Sequence, residues 1–487
     1  MQMIKSKSIK INAVLSVIKQ LCSVVFPLIT IPYISRVLQV EAYGKVNFGN
    51  SVVSYFVLLA GLGVSTYAIR DGARIRDDKK EITEFASQVY TINIISTAIA
   101  YVILFCCIIF STKLHSYTAL ILVQSCTIIL TTMGADWINS IYEDYFYITV
   151  RYLIFQVMAL VLMFLFVHSP SDYIKYAAIS VLATAGGNIV NFFCRKKYIK
   201  LHIVSVQSCK KHISAVLILF FYAIATTIYV NSDTTILGFL KDEQAVGIYS
   251  LSTKIYSVVK QILNAVIIVS LPRLSAYLGE KKVDEYKKLS NKIRDVLFTL
   301  VFPAIVGLFC LSSQIISIVG GSQYVAGAKA LRILCVSLGF AVMSGFYCCA
   351  VLLPYKKDKI CLYVSVVCAI VNIVLNFFFI PKLSYVGAAI TTLIAEALNY
   401  FLFVYYSYKS VNLPKERKCI GITILGSLLI ALVCVVLKRS ITNVYYCVGL
   451  SILASIVAYF SLQFIMGSYL IVGAVKAMVC KMRKPHK

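Results

Sequence analysis

The chain has 487 residues, of which 60% are apolar and only 14% charged. Soluble domains carry about a quarter charged residues, so a water-soluble enzyme is excluded, and so is a disordered chain, which needs the opposite balance. The formal net charge of +27 would point to nucleic acid on a soluble protein. Here no basic run is interleaved with stacking aromatics, and the excess reads as the positive loops of a membrane protein; no nucleic-acid partner is expected. The 16 cysteines are scattered through apolar runs, with adjacent pairs at 106–107 and 348–349 and no Cys-x-x-Cys. They read as small packing residues. The five histidines show no ligand spacing, so no metal site is expected.

In chain order, the basic start MQMIKSKSIK leads into an apolar run at 11–38 that is too long for a signal-peptide core and lacks a small-residue cleavage pattern. It is expected to be a retained first span. Fourteen apolar segments follow one another, at 11–35, 46–68, 85–110, 119–136, 152–167, 174–194, 214–237, 246–271, 296–319, 330–353, 360–380, 385–408, 420–437 and 444–475. They are continuous rather than alternating, which predicts transmembrane helices and not a membrane barrel. With the N-terminus inside, 34 of the 47 Lys and Arg fall in inner segments, 10 in outer connectors and three within spans. That asymmetry satisfies the positive-inside rule and places both termini in the cytoplasm. The connector at 279–295, GEKKVDEYKKLSNKIRD, is expected to be a solvated helical extension.

VEAYGKVNF around Gly44 resembles EQAVGIYSL around Gly247, a hint of internal duplication. The expected fold is an all-α integral membrane protein of about fourteen helices. Residues 1–213 form an N-lobe of six helices and 214–410 a matching C-lobe, with a central cavity between them. Residues 411–487 add two helices and a basic tail. Repeat-built transporters place the substrate route between such halves. Pro27, Pro32, Gly61, Gly63, Pro303, Gly339 and Gly345 can kink helices or let them approach closely.

Polar groups inside the spans carry most of the functional information. Lys19, Asp233, Lys254, Lys260 and Glu396 lie well within predicted helices. Each charge costs roughly 2.5–3.5 kcal/mol at a helix centre if it faces lipid, so these groups should face a hydrated interior or pair with one another. Asp233 and Lys254 fall at similar depth on a predicted hairpin and can meet. Lys260 lies about 120° around the helix from Lys254, so it is expected to be the unpaired cation of the cavity. Glu396 falls near mid-depth, as a proton- or cation-coupling carboxylate or as an acid satisfied by neighbouring hydroxyls. Arg36 and Arg332 sit at outer ends, and Arg70, Arg74 and Arg151 at inner ends. Guanidinium groups bind phosphates bidentately, so a lipid with a diphosphate head suits such a route. The chain has no P-loop, no Gly-x-Ser-x-Gly, no His-Glu-x-x-His and no paired acids at glycosidase spacing; it is not expected to be an enzyme, and no cofactor is expected beyond coupling to H+ or Na+.

The segments PYISRVLQVEAYGKVNF (32–48), GLGVSTYAIRDGARIRDD (61–78), DWINSIYEDYFYITVR (136–151) and NSDTTILGFLKDEQAVGIYSLSTKI (231–255) resemble bacterial Wzx-type polysaccharide repeat-unit flippases. These are the O-antigen and capsule translocases of the multidrug/oligosaccharidyl-lipid/polysaccharide exporter superfamily. The chain departs from that pattern at Gln39, where the family usually has Gly. The resemblance implies a fourteen-helix, two-lobed transporter in the bacterial cytoplasmic membrane. It implies alternating access for undecaprenyl-diphosphate-linked oligosaccharide, moved from inner to outer leaflet for surface polysaccharide synthesis. It places Lys19, Arg36, Asp233, Lys254, Lys260 and Glu396 along the cavity, with Arg70, Asp136 and Arg151 near the inner mouth. Implied partners are the lipid-linked substrate, membrane lipids, a polysaccharide polymerase and chain-length machinery. Two alternatives stay open: a multidrug or cation exporter of the same superfamily, which would want an acidic interior, and a membrane-embedded polysaccharide polymerase, which would want a large outer loop.

Overall fold

The computed structural model describes residues 9–410 and 418–473. The basic start, most of the 409–418 connector and the basic tail therefore lie outside the described residues, as do most of the inner positive charges counted at the two ends. Among the described residues every regular element is a helix. In chain order they are α1 (Ile9–Gly61), α2 (Val64–Ile75), α3 (Lys79–Phe110), α4 (Thr112–His115), α5 (Thr118–Gly134), α6 (Trp137–Ile141), α7 (Tyr145–Phe166), α8 (Tyr173–Val181) and α9 (Gly187–Cys194). Then come α10 (Val206–Leu240), α11 (Glu243–Gly279), α12 (Val283–Cys310), α13 (Ser312–Gly320), α14 (Ala328–Phe346), α15 (Asp358–Ser410), α16 (Lys418–Ser440) and α17 (Val444–Ile465).

Ten described helices are long and apolar enough to cross a membrane, where the sequence reading separated fourteen segments. Part of the difference has a local cause. The predicted segment 11–35 and residues 46–61 of the next lie in one 53-residue element, and 360–380 and 385–408 lie in another. Each is broken only at a single residue of positive φ, Gln39 (φ 60°) and Ser384 (φ 52°). At 1.5 Å per residue either element is far longer than the roughly 30 Å hydrocarbon layer. Gln39 is the position where the sequence departs from its resemblance, and its backbone angles lie in a region that glycine adopts without strain. The Thr118–Gly134 helix, predicted as a span, is shorter than the rest.

By contacts the chain divides into two compact units, Met1–Gly247 and Ile248–Lys487; α10 is grouped with the first, although its residues from 214 onward were read as the start of the second lobe. In the first unit α1 packs on α3, α5, α7 and α10. A buried cluster that includes Tyr67, Phe85, Val89, Trp137, Ile138 and Ile141 ties α2, α3 and α6 together. The look-alike segments around Gly44 and Gly247 lie within helices and meet here. A Cβ on Gly44 would run into the Glu243 carbonyl, and one on Gly247 into the Val40 carbonyl. The two backbones touch directly because neither position carries a side chain. In the second unit α14 packs on α15, and α12 on α14 and α16. Leu311, Ile430, Cys434 and Tyr459 form a small core beneath α16 and α17.

The stretch expected to be a solvated extension is only partly so. Asp284, Glu285 and Lys288 are exposed, but Tyr286, Ser290, Ile293, Arg294 and Asp295 are buried. Their spacing of 4, 3 and 4 residues puts Tyr286, Ser290, Ile293 and Leu297 on one face of α12. The Tyr286 hydroxyl donates to the Ala350 carbonyl at 2.7 Å.

Large apolar side chains remain exposed along the outer faces of the long helices, among them Val102, Ile109 and Phe110 on α3 and Leu428 and Leu432 on α16. Exposed apolar faces of this extent belong in lipid. The protein is a multi-pass membrane protein.

Candidate functional site

In the first unit, the helix break at Ala135 (φ 46°) lets Asp136 turn toward α7. Its carboxylate accepts from Arg151 at 2.6 Å and from Asn139 at 3.0 Å. Asn139 donates in turn to the Asn191 amide oxygen at 2.7 Å, and Asn191 donates to the Gly134 carbonyl at 2.7 Å. Gly187 gives the Arg151 stem room, since a Cβ there would crowd it, and the guanidinium lies over the Tyr147 ring. Arg151 is 9% exposed. Two predicted inner-mouth residues, Asp136 and Arg151, are thus brought together as one ion pair that joins α6, α7 and α9. Arg70 is not part of it. It is exposed and bonded to its neighbour Asp71 at 2.8 Å, with Arg74 on the same acid.

Asp233 is buried in α10. One turn of side chains beside it is polar: Tyr55 and Thr235 share a hydrogen bond of 3.1 Å, and Thr235 donates to Ser51 at 3.0 Å. Arg36 is exposed just before the Gln39 break. The Lys19 ammonium lies 5.6 Å from the Tyr152 ring centroid, a cation–π distance.

In the second unit the Lys260 ammonium donates to Glu396 at 2.8 Å, with the Tyr256 ring 5.6 Å away. The Glu396 side chain is 4% exposed. This corrects the expectation that Lys260 is the free cation. The helical rotation that separates it from Lys254 turns it instead toward α15. Lys254 is exposed and makes no ion pair or hydrogen bond among the described residues. The paired and the free lysine are therefore exchanged relative to the sequence reading. Arg332 is held by the Ser312 and Ser313 hydroxyls at 3.0 and 3.1 Å.

Sequence reasoning missed three polar groups. Arg294 and Asp295 form a buried pair at 3.5 Å, and Asp295 also accepts from the Tyr469 hydroxyl. His212 sits two residues before the predicted 214–237 span. Its Nδ1 accepts from the Tyr67 hydroxyl at 2.8 Å, its Nε2 donates to Gln88 at 2.7 Å, and Gln88 donates to Glu84 at 3.0 Å. A polar pocket of 280 Å³ is lined by Glu41, Lys45, Ser116, Tyr117, Tyr173 and Glu243. The amphipathic spacing of α12 would have revealed Arg294 and Asp295; nothing local marks His212, whose partners lie 124 and 145 residues away.

The chain matches the family model described as polysaccharide biosynthesis protein over residues 9–278, and a second model, MatE, over 219–378. It is 20% identical over 394 residues to a protein of Escherichia coli K12 named as an O-antigen transporter, covering 80% of this chain and 94% of that protein. It is 26% identical over 266 residues to the capsular polysaccharide biosynthesis protein CapF of Staphylococcus aureus, covering 53% of this chain and 66% of that one. Among solved structures, the lipid II flippase MurJ in an inward closed conformation superposes with a TM-score of 0.76 at 17% identity, covering 95% of this chain and 99% of that one. An inward-facing MATE multidrug transporter superposes with a TM-score of 0.55 at 13% identity, covering 80% and 98%.

Proposed function

Because the chain belongs to the polysaccharide biosynthesis protein family, we infer that it is a Wzx-type flippase of the multidrug/oligosaccharidyl-lipid/polysaccharide exporter superfamily, which moves lipid-linked oligosaccharide across the membrane and makes no covalent bond. The observation that carries this is the match to an O-antigen transporter across 80% of the chain, on a fold shared with a lipid II flippase.

The substrate is an undecaprenyl-diphosphate-linked repeat unit, carried from the inner to the outer leaflet of the bacterial cytoplasmic membrane by alternating access. Both termini are cytoplasmic, and the chain crosses fourteen times as two six-helix lobes and two further helices. The inside excess of Lys and Arg supports the orientation. The two kinked 53-residue helices support two crossings each. Lys254 is the ammonium that meets the diphosphate. Its ammonium makes no ion pair among the described residues, and an unpaired charge within a span is tolerated where water or an anion reaches it. Lys260 and Glu396 form the coupling pair, whose partnership H+ or Na+ would break. Lys19, Arg36 and Asp233 complete the route, with Arg70, Asp136 and Arg151 at its inner mouth. A polysaccharide polymerase and chain-length machinery receive the product.

A cation exporter is the second reading, supported by the MatE match. Glu396 counts against it, since that acid is already neutralised by Lys260.

The test is a reconstituted leaflet assay with fluorescent lipid-linked oligosaccharide, run beside complementation of a flippase-deficient strain. The expected result is transport by the native chain, its loss in Lys254→Ala at unchanged membrane abundance, and its retention in Lys254→Arg. Full transport by Lys254→Ala removes the cationic route; export of organic cations without lipid movement replaces the flippase reading by the exporter.

A further inference from the structure

On one face of α12 the residues Lys288, Lys292, Val296 and Leu300 follow one another at four-residue steps. Such a row lies along a single stripe of a helix and spans about 18 Å at 1.5 Å per residue. The stripe is basic for its first half and apolar for its second. The stripe opens into a cleft of 620 Å³ that lies wholly within the second unit, walled on the far side by Phe460 of α17 and by Tyr469, Leu470, Ile471 and Gly473. Val296 and Leu300 are half-buried there, whereas Lys288 and Lys292 are exposed and make no ion pair among the described residues. The acid nearest in sequence to this stripe, Asp295, is turned inward to Arg294 and the Tyr469 hydroxyl. The cleft is therefore cationic at one end and mostly apolar along the rest; no carboxylate is among its lining residues, and the exposed Asp284 and Glu285 lie one turn before Lys288, outside that lining.

We propose that this cleft is a binding site for an anionic glycerophospholipid of the leaflet facing the α11–α12 turn, distinct from the transported molecule. The phosphate sits between the Lys288 and Lys292 ammoniums, and an acyl chain runs down Val296 and Leu300 against Phe460. The arrangement of charge and apolar surface is that of the lipid itself, headgroup at the water boundary and chain along the helix. A zwitterionic lipid would gain the apolar half only. Juxtamembrane lysines each favour anionic lipid by about 1 kcal/mol, so two of them give roughly a thirtyfold preference, at about 1.4 kcal/mol per factor of ten. The site rests on the proposed orientation only for the identity of the leaflet.

The experiment places a tryptophan in the cleft, Phe460→Trp in the full-length chain, and reconstitutes it in vesicles of phosphatidylcholine that contain increasing dibrominated phosphatidylglycerol or dibrominated phosphatidylcholine. The quenching of Trp137, measured in the parent chain, is subtracted. A preference of about thirtyfold for the anionic lipid is expected in the quenching titration. It should fall below twofold when Lys288→Gln and Lys292→Gln are added, and should persist with the equally charge-reducing pair Lys200→Gln and Lys210→Gln, both exposed residues of the first unit. Equal quenching by the two lipids, a preference that survives the Lys288 and Lys292 changes, or a cleft that neither lipid reaches because the chain's own C-terminal segment fills it, each overturns the proposal. Quenching reads occupancy without transport. A chain that flips nothing yet keeps the preference leaves this site standing, and a chain that flips normally without the preference leaves the flippase reading standing.

Discussion

The Asp136–Arg151 pair of the first unit and the Lys260–Glu396 pair of the second both hold opposite charges between apolar helices, but their surroundings differ. Asp136 is part of a network that continues through Asn139 and Asn191 to a backbone carbonyl. Its side chain is also partly exposed. Glu396 is almost fully enclosed and, among the described residues, is bonded to the Lys260 ammonium, which has the Tyr256 ring beside it. A charge in a network can lose one partner and keep others. A charge with a single partner cannot, and removing that partner leaves it buried and uncompensated. The first arrangement suits a fixed joint between helices; the second suits a pair whose making and breaking changes the stability of a whole conformation.

The comparison is broken most severely at Glu396. Glu396→Ala should cost about 3–5 kcal/mol, because Lys260 is left without its counter-ion. Thermal unfolding in detergent micelles reads this as a large drop in midpoint. The double change Lys260→Met with Glu396→Met should recover most of it, since a buried pair replaced by apolar residues is near neutral. A double variant as unstable as the single one would show that the pair is not the unit. Asp136→Asn should cost less, about 1–3 kcal/mol, the range for one charge-assisted hydrogen bond lost from a site that keeps its amide contacts. The same unfolding measurement places it between the native chain and Glu396→Ala; a larger loss than at Glu396 would reverse the comparison.

The smallest effect concerns the uncharged relay at His212. Burial holds this imidazole below its ordinary range, Lys211 adds to that, and Asp71 opposes it. Besides these, its faces meet Tyr67, Phe85 and Gln88, and Glu84 lies beyond Gln88. The folded state therefore prefers neutral His212. Above about pH 6.5 the group is neutral in both states and contributes no pH dependence. As the pH falls below that value the unfolded chain takes up the proton first, and stability declines until the folded imidazole protonates as well. The unfolding midpoint should drop modestly between pH 7 and pH 5, and His212→Gln should flatten that part of the curve. An unchanged slope would show that the imidazole titrates alike in both states.

Much of the architecture was legible before any coordinates. Continuous apolar runs without alternation can satisfy their backbone in lipid only as helices, and the charges within them had to find water or each other. Depth along a helix was also legible, because rise per residue is fixed. Both pairs nonetheless illustrate where that reading stops. Asp136 and Arg151 were placed at the same end of the molecule from sequence, yet their direct bond depends on the reversal at Ala135, which no residue pattern announces. Lys260 was read as free and Lys254 as paired because the hairpin neighbour is close in sequence. The partner that Lys260 takes lies 136 residues away.

Composition and periodicity by themselves determined that this is a helical membrane protein with a few charged groups within its long apolar helices. They did so because hydrophobicity and helical rise act locally and need no partner. Tertiary structure alone decided which lysine is neutralised, that Arg294, Asp295 and His212 are buried, and that one stripe of α12 opens into a cleft. Those outcomes depend on which face each helix turns toward a neighbour distant in the chain, and packing sets that rotation.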